Sequence, residues 1–140
     1  MTASPAPVRH SYDYAVVRVV PRVEREEFFN AGVILFCRVR RFLGARVALD
    51  QGRLAALAPA LDPAGVEAHL ALIERICAGD VDAGPIARLP LAERFHWLVA
   101  PRSTVVQTSP VHSGLCADPA AALERLFALM ALPDAGNDET

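Results

Sequence analysis

The pattern of apolar and polar positions along the 140-residue chain predicts four short β-strands. Val, Ile, Leu and aromatic residues alternate with polar ones, or occupy both faces, which is typical of strands. The predicted strands are residues 12–20, 32–40, 45–50 and 103–108. The first has two largely apolar faces, which favours a central place in a sheet. The second and third are joined by a short loop containing glycine, so we expect them to form a hairpin.

Two longer segments begin with the same helix signal, an aspartate followed by a proline. Asp62 is the predicted N-cap of a helix that ends at Gly79, and Asp118 is the predicted N-cap of the last helix. Both segments then place apolar residues on one face at helical spacing. A shorter helix is predicted over residues 91–99, ending before Pro101 because the residue before a proline avoids helical geometry.

The connection over residues 22–30 is long enough for about two helical turns. Asn30 and Gly32 are then expected to make the turn into the next strand. The resulting order is β, short α, β, β, α, α, β, α. It predicts an α+β fold: a single domain with a small antiparallel or mixed sheet of about four strands and helices mainly on one face.

We expect the domain to span residues 11–132, between a flexible N-terminal arm (1–10) and a flexible acidic tail (133–140). The expected core consists of the apolar positions that face inward in the predicted elements. They are Val17, Val19, Val33, Leu35, Val47, Leu49, Val66, Leu70, Ile73, Leu123 and Phe127.

Composition indicates a core-rich globular protein rather than a disordered one, since 53% of residues are hydrophobic and 21% are charged. The formal net charge of −2 argues against nucleic-acid binding through an overall positive field. Three well-separated cysteines predict reduced thiols, and the N-terminus lacks the apolar core of a signal peptide. The expectation is a cytoplasmic protein without a membrane span.

Residues 101–114 gather polar side chains in an otherwise apolar chain, and they suggest a binding site. Together with Arg18 of the first predicted strand and Asn30 of the connection that follows it, they form a candidate patch of Arg18, Asn30, Arg102, Ser103, Gln107 and His112. An arginine fork suits a carboxylate or phosphate. Two interpretations stay open: an anion or peptide site, and ordinary turn and capping chemistry. For Arg18 the structural alternative is an ion pair with Glu26 or Glu27.

Four arginines of the predicted hairpin form a second cationic group: Arg38, Arg40, Arg41 and Arg46. They are either a solvated hairpin face or an anion site.

Nucleophilic catalysis and metal binding have weak support in the sequence. His112 and Cys116 are four residues apart, with Ser109 and Ser113 nearby, but no nucleophile-elbow motif is present. His96, His112 and Cys116 lack the spacing of known zinc motifs. We expect no metal and no cofactor.

Two blocks, "YAVVRVVPRVEREEFFNAGVILF" and "RFHWLVAPRSTVVQTSPVHSG", resemble the DUF3037 family, a bacterial domain of unknown function. The resemblance covers roughly residues 12–130. It implies no established reaction and no catalytic residues. The family's association with genes for kinases resembling the HipA toxin implies such a kinase as partner.

We therefore expect a non-catalytic cytoplasmic binding module with a protein partner. The alternative is an enzyme that acts on a phosphorylated or nucleic-acid substrate. The sequence leaves the oligomeric state and the strand order open.

Overall fold

The computed structural model describes residues 7–22, 25 and 27–132. It contains five β-strands: β1 (His10–Val19), β2 (Phe29–Cys37), β3 (Phe42–Val47), β4 (Val106–Thr108) and β5 (His112–Cys116). They form an antiparallel sheet in the spatial order β3-β2-β1-β4, with β5 also paired to β1. The predicted central place of the first strand and the predicted hairpin of the next two are confirmed.

Strands β4 and β5 are two halves of one edge strand that is interrupted by a bulge. Between the pairs Thr108–Val17 and His112–Tyr14, this strand has one residue more than β1. The buried Ser109 fills the interruption. Its N–H donates to a β1 carbonyl at 2.8 Å, and its hydroxyl accepts a β1 N–H at 2.9 Å. The sheet therefore has four strand positions, as the sequence predicts.

Four α-helices cover the sheet, three on one face and one on the other. The helices are α1 (Gln51–Leu57), α2 (Pro63–Ala78), α3 (Leu91–Leu98) and α4 (Pro119–Met130), with 3-10 turns at Val81–Ala83 and Pro85–Arg88. Helices α1, α2 and α3 bury their apolar residues in a core with alternate residues of β1 and β2, and α4 packs on the opposite side of β2 and β3. The predicted α+β class, with helices mainly on one face, is confirmed.

Strand β2 is buried on both faces, because it lies between the two cores. Val33 and Leu35 point toward α4, while Ile34 and Phe36 point toward α2 and α3. Most of the predicted core residues are buried. The exceptions are Val47 and Leu49, which are only partly buried at and beyond the end of the edge strand β3.

The two Asp-Pro helix starts are confirmed in atomic detail. The Asp62 carboxylate accepts the N–H of Ala64 at 3.0 Å, and the Asp118 carboxylate accepts the N–H of Ala120 at 3.1 Å. Gly79 ends α2 in the left-handed conformation at φ 75°, where glycine is favoured. Helix α3 ends before Pro101, as predicted.

The turn predicted at Asn30 and Gly32 is wrong, because both residues lie inside β2. Glycine is required at position 32 for space. A Cβ atom there would lie 2.5 Å from the carbonyl oxygen of Arg46 on β3. Of the segment predicted to hold two helical turns, residues 23, 24 and 26 lie outside the described residues, and the others contain no α-helix.

Other boundaries shift for local reasons. The second predicted strand ends at Cys37, because residues 38–41 form the hairpin turn, and β3 therefore starts at Phe42 rather than at residue 45. The fourth predicted strand is shorter, since only residues 106–108 pair with β1.

The predicted tail and most of the predicted arm lie outside the described residues, and β1 already begins at His10. Within the part of the chain that the structure describes, no helix is both long and apolar enough to cross a membrane.

Candidate functional site

Three of the six candidate residues form one polar row across the middle of the sheet. Arg18 on β1 is paired with Asn30 on β2 and with Gln107 on β4. Directly opposite residues of antiparallel strands have Cα atoms roughly 4.5–5.5 Å apart and side chains on the same face. This face is the one that carries α4, since Val17, Val19 and Val106 point into the core on the other side.

Arg18 contacts an aromatic ring, and no acidic side chain among the described residues forms an ion pair with it. Its guanidinium carbon lies 4.1 Å from the ring centroid of Phe28, which is a cation–π contact. The Nε atom is buried and has no acceptor among the described residues. Of the two predicted partners, Glu27 pairs instead with Arg25 at 2.9 Å, and Glu26 lies outside the described residues. Among the described residues, the Arg18 Nε donor is therefore left without an acceptor.

The amides on either side of Arg18 have structural partners. Asn30 donates from Nδ2 to the carbonyl of Met130 at 2.9 Å, which fixes the last turn of α4 to the sheet. Gln107 donates from Nε2 to the carbonyl of Thr104 at 2.7 Å. These two candidate residues flank Arg18 and shape its surroundings.

Helix α4 covers only part of its face of the sheet. It packs on β2 and β3, while Tyr14, Arg18 and Gln107 stay partly exposed and His112 is exposed. The His112 ring lies against the Tyr14 ring with a centroid distance of 5.4 Å. Tyr14 is four residues from Arg18, so His112 is roughly 13 Å from the arginine row along the sheet.

Two exposed apolar side chains border this uncovered area. Phe28, which stacks on Arg18, is 48% exposed, and Leu129 on α4 is 75% exposed. Leu129 follows the buried Ala122 and Leu126 at helical spacing, on the opposite edge of α4 from Glu124, which bonds to Arg46 of β3. Leu129 therefore lies on the edge of α4 nearer to β1. We call this area the open sheet face: Tyr14, Arg18, Phe28, Gln107, His112 and Leu129.

The expectation that Arg102 joins Arg18 is wrong. Arg102 donates to the backbone carbonyls of Trp97 and Leu98 at the end of α3, and its guanidinium lies 4.3 Å from the Trp97 ring centroid. Helix α3 packs on the other face of the sheet from α4. The physical reason is that the last carbonyls of a helix lack partners within the helix, and an arginine four or five residues further on can satisfy them.

Most other polar groups of residues 101–114 also have nearby partners. Thr104 donates to the carbonyl of Val106 at 2.7 Å, and Ser113 donates to the Asp13 carboxylate at 2.8 Å. Ser103 is exposed on the loop before β4. The local concentration of hydroxyls is thus explained largely by the bulged edge strand and the end of α3.

The candidate nucleophiles near His112 are buried or lie on the opposite face of the sheet from it. The three cysteines are buried, and burial raises the pKa of the Cys77 thiol to about 12. His112 and Ser113 are consecutive in β5, so their side chains point to opposite faces of the sheet. Among the described residues, no group of three His, Cys, Asp or Glu side chains is placed to hold a metal ion.

Sequence reasoning missed Phe28 and Leu129. Leu129 carries a signal, because it is a large apolar residue outside the buried stripe of an amphipathic helix. Phe28 carries none, since it stands beside Phe29 and only the register of β2 decides which of the two is buried.

Comparison with known proteins gives a family and no closer relative. The chain has no match among curated proteins and none among solved structures. Residues 14–131 match the family model described as "Protein of unknown function (DUF3037)". This match spans β1 to α4 and most of the sequence, so the chain belongs to the DUF3037 family.

Proposed function

We propose that the protein is a non-catalytic cytoplasmic binding module that holds a bacterial protein partner on its open sheet face. The observation that carries this proposal is the state of Arg18. Its Nε is buried without an acceptor among the described residues, while its flanking amides donate elsewhere. A buried donor without a partner costs free energy, which a partner that supplies an acceptor recovers.

The composition of the open sheet face supports a protein partner. Arginine and aromatic residues are enriched in protein interfaces, and here Arg18, Phe28 and Tyr14 lie together with the exposed Leu129. A segment that fits this surface presents a carboxylate or carbonyl oxygen to Arg18 and apolar side chains to Phe28 and Leu129. The buried thiols and the opposed His112 and Ser113 favour binding over catalysis.

We further propose a kinase resembling the HipA toxin as the partner, on the basis of the family's association with such genes. The test is calorimetric titration of the purified domain with the HipA-like kinase encoded in the same genome. We expect a saturable complex. Arg18→Ala and Phe28→Ala should each weaken it by about tenfold or more, since interface anchors contribute on the order of 2 kcal/mol.

Matched controls lie on the other side of the sheet. Arg53 on α1 is an exposed arginine and Val81 after α2 is an exposed apolar residue, so Arg53→Ala and Val81→Ala should leave the affinity unchanged. A kinase that does not bind contradicts the proposed partner. A complex that tolerates both Arg18→Ala and Phe28→Ala contradicts the proposed surface.

A further inference from the structure

A cleft at the opposite end of β2 is lined by arginines. It lies between the hairpin turn and the start of α3 and has a volume of about 560 Å³. The lining residues are Phe36, Arg38, Arg41, Pro90, Leu91, Ala92 and Arg94. The Phe36 ring stacks on Phe95 of α3 with a centroid distance of 5.3 Å, so the cleft opens on the α3 face, away from the open sheet face.

The charge of this cleft is not balanced by acids in its lining. Three of the seven lining residues are arginines, and none is acidic. Within the described residues, the ion pairs of the chain engage other arginines, and Arg38 and Arg41 form none. The hairpin carries two further arginines, Arg40 and Arg46. The Arg46 guanidinium pairs with the Glu124 carboxylate at 2.8 Å.

Arg94 is the third arginine that lines the cleft, and its side chain is held in place by backbone carbonyls. Its Nε donates to the carbonyl of Leu89 at 2.8 Å, and one Nη donates to the carbonyls of Ile76 and Cys77 at 3.0 and 2.9 Å. These bonds fix the guanidinium against the partial negative charge of the last carbonyls of α2, and no described carboxylate is paired with it. Glu93, the neighbouring acid on α3, is exposed and does not line the cleft.

The backbone at Arg41 gives independent support for a role of its side chain. Arg41 has φ 53° and is the only non-glycine residue with positive φ in the described chain. Glycine adopts this left-handed conformation with less strain than any residue that has a Cβ atom. A guanidinium is therefore held at a position where the turn alone would favour glycine.

We propose that this cleft binds a phosphate monoester. Arginine forks match the geometry and charge of phosphate oxygens, and Arg38 and Arg41 of the hairpin turn line the same cleft as Arg94. The apolar lining from Phe36 and Leu91 would contact the organic part of the ester. The ester is carried by a small molecule or by a phosphorylated protein side chain, and both sources present the same group.

The test is titration of the intact protein with phenyl phosphate and, separately, with a phosphoserine peptide. Roughly 0.15 M salt, with a Debye length of about 8 Å, suppresses attraction to exposed charges. Calorimetry and the arginine Nε–H signals in NMR spectra report binding. We expect saturable binding that Arg38→Ala and Arg41→Gly each weaken by about tenfold.

Arg40→Ala is the matched control, because Arg40 is exposed in the same turn and does not line the cleft. It should leave the affinity unchanged. Arg41→Gly should keep or raise the melting temperature, which separates loss of the guanidinium from loss of the fold. Tighter binding of phenyl phosphate assigns the site to a small molecule, and tighter binding of the peptide assigns it to a phosphorylated protein.

Two results would overturn the site: no saturable binding of either probe, or equal weakening by Arg40→Ala and Arg41→Gly. Neither result bears on the kinase complex, because the cleft and the open sheet face lie at different ends and faces of β2.

Discussion

Arg102 influences His69 on α2 as well as the end of α3. Burial lowers the pKa of His69 below its ordinary value of 6.5, and the positive charge of Arg102 lowers it further. As the pH falls through about 6.5, the unfolded chain takes up this proton before the folded protein does. The contribution of His69 to the free energy of unfolding is therefore lost as the pH falls from about 6.5 toward the lower pKa of the folded protein.

Arg102→Ala should raise the pKa of His69 part of the way toward 6.5, because the charge is removed while most of the burial remains. An NMR titration of the His69 ring protons measures this change. Arg53→Ala removes an arginine on α1 and serves as the control. An unchanged pKa in the Arg102 variant would show that burial alone causes the shift.

Leu70 tests how much one buried side chain stabilises the core between the sheet and helices α1–α3. It is 2% exposed on the face of α2 that packs on the sheet. Leu70→Ala should lower the free energy of unfolding by about 2–5 kcal/mol, since it removes buried methyl groups and leaves a cavity. Urea denaturation gives the value. Val81→Ala, at a 57% exposed position, should change stability by less than about 0.5 kcal/mol.

At the scale of elements, two glycines with different surroundings should respond oppositely to alanine. A Cβ at Gly32 in β2 would lie 2.5 Å from the Arg46 carbonyl oxygen, whereas a Cβ at Gly65 in α2 meets nothing within 4 Å. Gly32→Ala should cost about 1–3 kcal/mol of stability through overpacking. Gly65→Ala, in the first turn of α2, should add up to about 0.5 kcal/mol, because alanine has the higher helix propensity. Thermal melts of both variants test the pair, and a stabilised Gly32→Ala would contradict the close β2–β3 approach.

Elements with strong local signals were predictable from the sequence. The Asp-Pro starts and the terminal glycine place α2 within one residue at each end, because capping chemistry acts over a few neighbouring residues. Helix α1 was missed since its seven residues include Gly52 and only one buried side chain, Leu54. Strand β5 was missed because "HSGLC" has no apolar periodicity, and its pairing with β1 is non-local.

At the scale of the whole molecule, the candidate site was only partly predictable. Arg18, Asn30 and Gln107 meet because strands far apart in sequence are neighbours in the sheet, as their polar character in apolar surroundings suggested. Arg102 was misplaced because its partner, the end of α3, lies only a few residues away. Composition identified the polar stretch, but strand register and helix packing decide which of its residues share a surface.

The three buried thiols allow the opening of the whole fold to be followed by chemical labelling. Cys37 lies in the doubly covered β2, Cys77 in α2 and Cys116 in the edge strand β5. A thiol reacts only as a thiolate in contact with the reagent, and the pKa of about 12 for Cys77 keeps that thiol protonated in the folded protein at pH 8.

We expect Cys116 to react first with a thiol reagent under native conditions. Cys37 and Cys77 should react more slowly, at the rate of the larger unfolding events that expose them. The reason is that β5 pairs only with β1 and follows a bulge, so it can detach with loss of the Cys116 packing against α4 while the core between the sheet and helices α1–α3 stays closed. Mass spectrometry of partly labelled protein identifies the modified residue. In a Cys116→Ala variant the fast phase should disappear while the slow phase stays. Labelling of Cys37 before Cys116 would mean that the centre of the sheet opens before its edge, and would contradict the role of the bulged strand as the least stable part of the fold.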